Sequence, residues 1–358
     1  MQDQAATKAR RSNNGRNTMT LKFVAAIAAA LLPAVAAAQT PKANGETMTL
    51  QNYAGTTGNL HAVVATRKGF CDKYNFKCEI KTINSSILGL QTLVGKSLDV
   101  AQTGTGLVAI TNAAGADLVI VGNSLPGTVT FLAARADVPF PNKAKGYPAV
   151  MADFKGLKIG VTARGSAEEL FLNVMLKDGG LQPSDVVYVA VGGPATAYTS
   201  LVVGKQVDAV IMFEPLKALC NHTKGCSVIV DMTLGEGPAI VKDIYGSGVP
   251  LVMRREYAEG NPALMAAFYA AMTDAATWFN DPANFEELVQ IYTPLIGFGD
   301  IPGADDLRRN WIKSTIPLYS KDLKVPRSAV KASIDFNVAV KLLERPLEVS
   351  KVLWDKAP

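Results

Sequence analysis

Arg164, Gly165 and Ser166 follow the strand-like run "LKIGV" and precede "AEELF", which starts a helix. Each suits capture of a small molecule for a different reason. An arginine presents a planar fork that meets a carboxylate, sulfonate or phosphate with paired hydrogen bonds. A glycine lets a ligand approach the backbone. A helix start adds free N–H groups and partial positive charge. The same turn also has a local use. Ser166 and Glu169 make the S-x-x-E pattern of a capping box, and Glu168 and Glu169 oppose an anion there. A cap alone requires neither Arg164 nor Gly165.

Further polar turns follow other strand-like runs. "AGTTGNLH" (54–61) offers Thr57, Gly58, Asn59 and His61, with Tyr53 before it as a pocket wall or core residue. "QTGTG" (102–106) offers Thr103, Gly104 and Thr105. "MFEP" (212–215) offers Phe213, as wall or core, and Glu214, as acceptor for a ligand donor or as a contact at a moving joint. Thr57 and Asn59 are equally suited to capping a helix, and His61 to packing in a core. In open parallel sheets the ligand crevice lies beyond the carboxyl ends of the strands, where all these turns fall.

The elements that must position them form an internal echo. "LVGKSLDVAQTGT" (93–105) and "VVGKQVDAVIMFE" (202–214) both read as helix end, Gly-Lys turn, aspartate and buried strand, with Asp99 matching Asp208. Both aspartates are read as turn stabilisers. Upstream of each lies a strand, a glycine-containing turn and an amphipathic helix. This order predicts α/β architecture with parallel sheets and right-handed crossovers, in two similar lobes. The first lobe occupies 48–136. The proline-bearing segment 137–153 reads as the connector. The second lobe occupies 154–247, and 248–345 returns to the first lobe as a strand and a helical tail, with Asn261-Pro262 as cap and first position of a helix.

The net charge is +5, of which residues 1–38 carry +4 through Lys8, Arg10, Arg11, Arg16 and Lys22 against Asp3. The near-neutral remainder gives no reason to expect nucleic acid or an anionic membrane as partner. Residues 1–38 read as an extension plus export signal. Lys22 precedes "FVAAIAAALLPAVAAA", and Ala36 and Ala38 set a cleavage site before Gln39; an uncleaved anchor is the alternative. Translation starts at Met1 or Met19. Export suits the four cysteines, read as two short-range disulfides, Cys71–Cys78 and Cys220–Cys226. A metal site using His222 would have three ligands and no evident fourth, so neither metal nor cofactor is expected.

Residues 154–215, "FKGLKIGVTARGSAEELF…VDAVIMFEP", resemble the second lobe of periplasmic solute-binding proteins of the nitrate/sulfonate/taurine type. The strand "GVPLVMRR" and the helical run after it, through 279, are similar to that family's return strand and following helix. The resemblance implies a type II periplasmic binding protein: two lobes joined by a two-strand hinge, closing on a solute and delivering it to an ABC permease and ATPase. It favours the turn Thr57–Asn59, Thr103–Thr105, Arg164–Ser166 and Phe213–Glu214 as ligand contacts. Phe213 stands where the family often has tryptophan, and the cysteine pairs depart from its pattern. The expectation is a monomeric, non-enzymatic receptor for a small organic anion. The rivals are an enzyme on the same fold, desulfinase-like or pyrimidine-synthesis-like, and a receptor serving a membrane sensor. The enzymes would need a free nucleophilic cysteine or a cysteine-rich cluster. "GTGLVA" satisfies a G-x-G-x-x-A string, but Asn123 stands where nucleotide binding wants an acid.

Overall fold

The computed structural model describes residues 40–299 and 301–358; the expected extension and export signal lie outside the described residues. Among the described residues, no helix is long and apolar enough to cross a membrane.

Ten strands occur among these residues: β1 (Thr47–Asn52), β2 (Lys77–Thr82), β3 (Ala101–Gln102), β4 (Leu118–Leu125), β5 (Thr130–Arg135), β6 (Lys158–Val161), β7 (Val187–Ala190), β8 (Ala209–Phe213), β9 (Cys226–Asp231) and β10 (Val249–Arg254). β1 and β2 pair in parallel, and a parallel bridge between Leu50 and Val100 leads to a second sheet ordered β3-β10-β4. The remaining five strands form a sheet ordered β7-β6-β8-β5-β9. β6 runs parallel to β7 and β8, whereas β5 is antiparallel to both β8 and β9, and β10 to both β3 and β4.

The central strands β4 and β5 are largely apolar because both faces are covered. In β4, Val119 and Val121 enter one core while Leu118 and Ile120 enter another. In β5, Phe131 and Ala133 face one core and Leu132 and Ala134 the other. The tail helices Pro262–Asn280, Phe285–Tyr292 and Ala304–Thr315 contribute Phe268, Leu288 and Trp311 to the core that also holds Met48, Leu50 and Val119. Pro262 takes the first helical position as expected. Asn261 does not cap with its side chain, which donates Nδ2–H to the Tyr257 carbonyl instead (2.7 Å).

One boundary differs from the sequence reading. β5 pairs with β8 and β9, so the chain leaves the first strand group at 126–129 and residues 130–136 do not belong with it. Segment 137–153 is irregular, as its prolines require, but it lies beside the five-stranded sheet. Its end forms the 3-10 turn Ala149–Phe154, which buries Val150, Met151 and Phe154 with Leu132 and Ile159. Prolines mark irregular backbone; they do not mark where a chain changes sheets.

Both cysteine pairs are disulfides: Cys71–Cys78, with Cα atoms 5.9 Å apart, and Cys220–Cys226, at 4.7 Å. Each ties the end of a helix to the following strand.

The echoed aspartates do the same work twice. Asp99 accepts from the Thr49 N–H (2.9 Å) and from Arg254 Nη2 (3.1 Å), and Arg254 Nη1 donates to the Leu98 carbonyl (2.6 Å). Asp208 accepts from the Lys158 N–H (2.9 Å) and from Arg135 Nη2 (3.3 Å), and Arg135 Nη1 donates to the Val207 carbonyl (2.7 Å). Thr49 and Lys158 lie on the neighbouring strands β1 and β6, and each arginine ends a strand that has just crossed from the other sheet group. The aspartates therefore hold strands in register and lie away from the cleft described below.

Candidate ligand-binding cleft

A cleft of about 1070 Å³ lies between the two strand groups. Volumes of roughly 300–1,000 Å³ are usual for sites that hold drug-sized molecules. Its walls come from residues after β1 and β3 on one side and after β8 on the other. The two chain crossings and the C-terminal helical region complete it. Helix starts meet here. The Ala167 N–H at the start of helix Ala167–Asp178 donates to Ser86 Oγ at the start of Ser86–Val94 (3.3 Å). Tyr53 and Phe213 pack edge to face across the groups, with ring centroids 5.8 Å apart.

Of the residues singled out in the sequence, Tyr53, Thr57, Gly58, Thr103, Gly104, Phe213 and Glu214 line this cleft. The Tyr53 hydroxyl donates to the Gln102 carbonyl (2.7 Å). Burial, with Glu168 adding to it, pushes its phenol far above the ordinary value, so it stays neutral. Glu214 accepts the Ala218 N–H (3.1 Å), and burial pushes its carboxyl up.

Six candidates lie elsewhere. Asn59 spends its side chain on scaffold: Oδ1 accepts from the Ala62 N–H (3.3 Å) and Nδ2 donates to the Gln51 carbonyl (2.8 Å). Thr105 Oγ1 donates to the Ser247 carbonyl (2.9 Å) and faces a separate cavity of about 50 Å³. Arg164 is turned outward. Its Nε and Nη2 reach the two Glu169 oxygens at 3.0 Å each, its guanidinium lies 4.8 Å above the Tyr188 ring, and its side chain is 62% exposed. Gly165, at φ +78°, donates its N–H to Glu169 (2.8 Å). Ser166 Oγ accepts from the Glu169 N–H (3.4 Å). The capping box is thus altered, because Glu169 reaches back to Gly165 and Arg164 instead of to the Ser166 N–H. Glu169, five residues along, is the carboxylate that Arg164 meets in this structure.

His61 is the sixth. It is fully buried, packed edge-on to Phe279 and Tyr319, with Nε2–H donating to the Ser320 carbonyl (2.8 Å) and Nδ1 accepting from Ser124 Oγ (3.2 Å). Burial holds its pKa down at about 4, against 6.5 for an ordinary histidine. Above pH 6.5 the ring is neutral in folded and unfolded chain alike, and no penalty arises. Between pH 6.5 and 4 the unfolded chain takes up a proton that the folded chain refuses, so stability falls, in full by ~3 kcal/mol. Urea unfolding at pH 7 and pH 4.5 should show a loss about 2 kcal/mol larger for the wild type than for His61→Gln. Equal losses in the two chains would refute this.

The structure adds lining residues that sequence reasoning missed: Gln102, Glu168, Phe171, Lys217, Trp311 and Tyr319. Gln102 had a signal, as an amide inside the buried run "DVAQ". Trp311 and Tyr319 had none, because the tail reaches the cleft only through tertiary packing. Gln102 Nε2, Thr103 Oγ1 and Trp311 Nε1 find no hydrogen-bond partner within the protein, although these residues are only 1%, 2% and 3% exposed. Unmatched buried donors each cost about 1–3 kcal/mol.

The NMT1-like family model matches residues 41–293. The chain belongs to the NMT1-like family. No curated protein matches it. This NMT1-like chain is similar in structure to a protein of Bordetella bronchiseptica RB50, with TM-score 0.70 and 21% identity over 87% of this chain and 95% of that one. It is also similar to the alkanesulfonate-binding protein SsuA from Xanthomonas axonopodis pv. citri, solved bound to MOPS (TM-score 0.65, 18% identity, 87% and 99% covered). A third is the periplasmic nitrate-binding protein NrtA from Synechocystis PCC 6803 (0.63, 17%, 88% and 87%). The fold is that of the periplasmic binding proteins. Among the described residues no cysteine is free.

Proposed function

We propose that this NMT1-like protein is an extracytoplasmic solute receptor of an ABC importer, exported by its N-terminal signal, with permease and ATPase subunits as partners. In this reading residues 48–125 and 249–345 form one lobe and 130–247 the other. A small organic solute enters the cleft between them, and the lobes close by bending at 126–129 and 245–248. One observation carries the reading: a single cleft takes walls from both strand groups. The rim fits closure. Leu234, Tyr245 and Leu318 line the mouth while 77%, 68% and 53% exposed, apolar surface that closing would remove from water. Ligand contacts made from both lobes would then tip an open–closed balance of a few kcal/mol.

A thermal-shift screen of residues 39–358 against amines, carboxylates, sulfonates, nitrate and pyrimidines tests the receptor. A bound compound at about 100 times its Kd stabilises by ~2.7 kcal/mol, without being consumed. Silence across the whole panel overturns the proposal. Arg164→Ala is expected to leave the affinity of any stabilising compound within about twofold, because its pair with Glu169 is a surface contact worth at most ~1 kcal/mol. A tenfold loss would return Arg164 to the site.

A further inference from the structure

The charged groups in the cleft are unequally matched. Lys217 is the buried-side cation, and its ammonium is already taken: Nζ lies 3.1 Å from Asp231 Oδ2 and 3.0 Å from Thr233 Oγ1, above the Phe131 ring. Glu214 sits at the edge of this group, with Oε1 3.8 Å from the same Nζ. Glu168, across the floor, is buried and receives only the Thr162 hydroxyl (2.9 Å). The other cation on the lining, Lys321, is exposed at the rim beside Asp322. Arg164, the one arginine the sequence offered for an anion, is spent on Glu169 outside the lining. An anion in this cleft would meet two carboxylates and no free buried cation.

We propose that the solute is a cation, an aromatic or otherwise largely apolar molecule bearing an ammonium or amidinium group, which Glu168 and Glu214 receive. The proposal rests on the receptor reading above and names its substrate class. Two observations converge on it. Two carboxylates lacking a full partner attract positive charge and gain most when water is excluded. Tyr53, Phe171, Phe213, Trp311 and Tyr319 supply aromatic walls, surfaces that favour a flat apolar body and a cation over a ring face.

The test uses three molecules of nearly one shape and three charges: 4-hydroxybenzamidine, 4-hydroxybenzamide and 4-hydroxybenzoate. Binding to residues 39–358 is measured by calorimetry, alongside the wider thermal-shift panel. The amidine is expected to bind about tenfold or more tighter than the benzoate. Glu168→Gln and Glu214→Gln, which keep the shape and an acceptor oxygen, should each weaken the amidine by about tenfold and leave the neutral amide within about threefold. Tighter binding of the benzoate, glutamine variants that bind the amidine unchanged, or a panel in which only anions stabilise the protein would overturn the cation assignment while leaving the receptor standing. A panel in which nothing binds removes both.

Discussion

Gly248→Ala is expected to destabilise the protein by about 3 kcal/mol, at the upper end of what an overpacked methyl costs. Gly248 lies on the return crossing, where its N–H donates to the Pro126 carbonyl (3.1 Å), as does the Gly246 N–H (2.9 Å). A Cβ at 248 would stand 2.0 Å from the Gly127 oxygen and 2.5 Å from its carbonyl carbon. Both are backbone atoms of the outward crossing, so no side chain can swing aside. The two crossings must part, and the hydrogen bonds between them go with the contact. Urea unfolding should register the loss as a lower midpoint at unchanged slope. A shift below about 1 kcal/mol would show that the crossings separate freely. If the crossings are the joint on which the lobes turn, the same variant should also alter ligand affinity.

Arg254→Ala is expected to cost about 3–5 kcal/mol, the range for removing one partner of a buried ion pair. Arg254 is 8% exposed and holds three acceptors: the Leu93 carbonyl (2.7 Å), the Leu98 carbonyl (2.6 Å) and Asp99 (3.1 Å). Truncation strands the Leu98 carbonyl, leaves the Leu93 carbonyl with the Lys96 N–H alone (3.1 Å), and leaves Asp99 with Thr49 alone. Lysine carries the charge without the planar fork, so Arg254→Lys should recover less than half of the loss. Equilibrium unfolding of the three chains checks both statements. Full recovery by lysine would mean that charge alone matters there.

Much of the fold was legible because its strands are short apolar runs ended by glycine turns, and because the aspartate echo repeats a whole strand-pairing device. The outward crossing was misplaced for a physical reason. β5 is an ordinary buried run, and nothing in "TVTFLAAR" states which sheet will pair with it. The rule that strand ends face the cleft put Tyr53, Thr103 and Glu214 where the structure has them, in the cleft lining. The rule failed where a nearer partner claimed the side chain: Glu169 took Arg164, the helix end took Asn59, and the core took His61. It was silent about Trp311 and Tyr319, which arrive from far along the chain. The expectation of an anionic solute leaned on Arg164, whose side chain pairs with Glu169 outside the cleft lining.

The placement of β10 has a consequence for biosynthesis. The five-stranded sheet draws all its strands from the unbroken stretch 130–231, while the sheet holding β3 and β4 has Val249–Arg254 between them. As the chain emerges from the ribosome, the interior unit has every strand it needs before the unit begun first can be completed. The N-terminal portion must therefore wait, its β3 and β4 edges unpaired, until the central strand arrives from the other side of a finished neighbour.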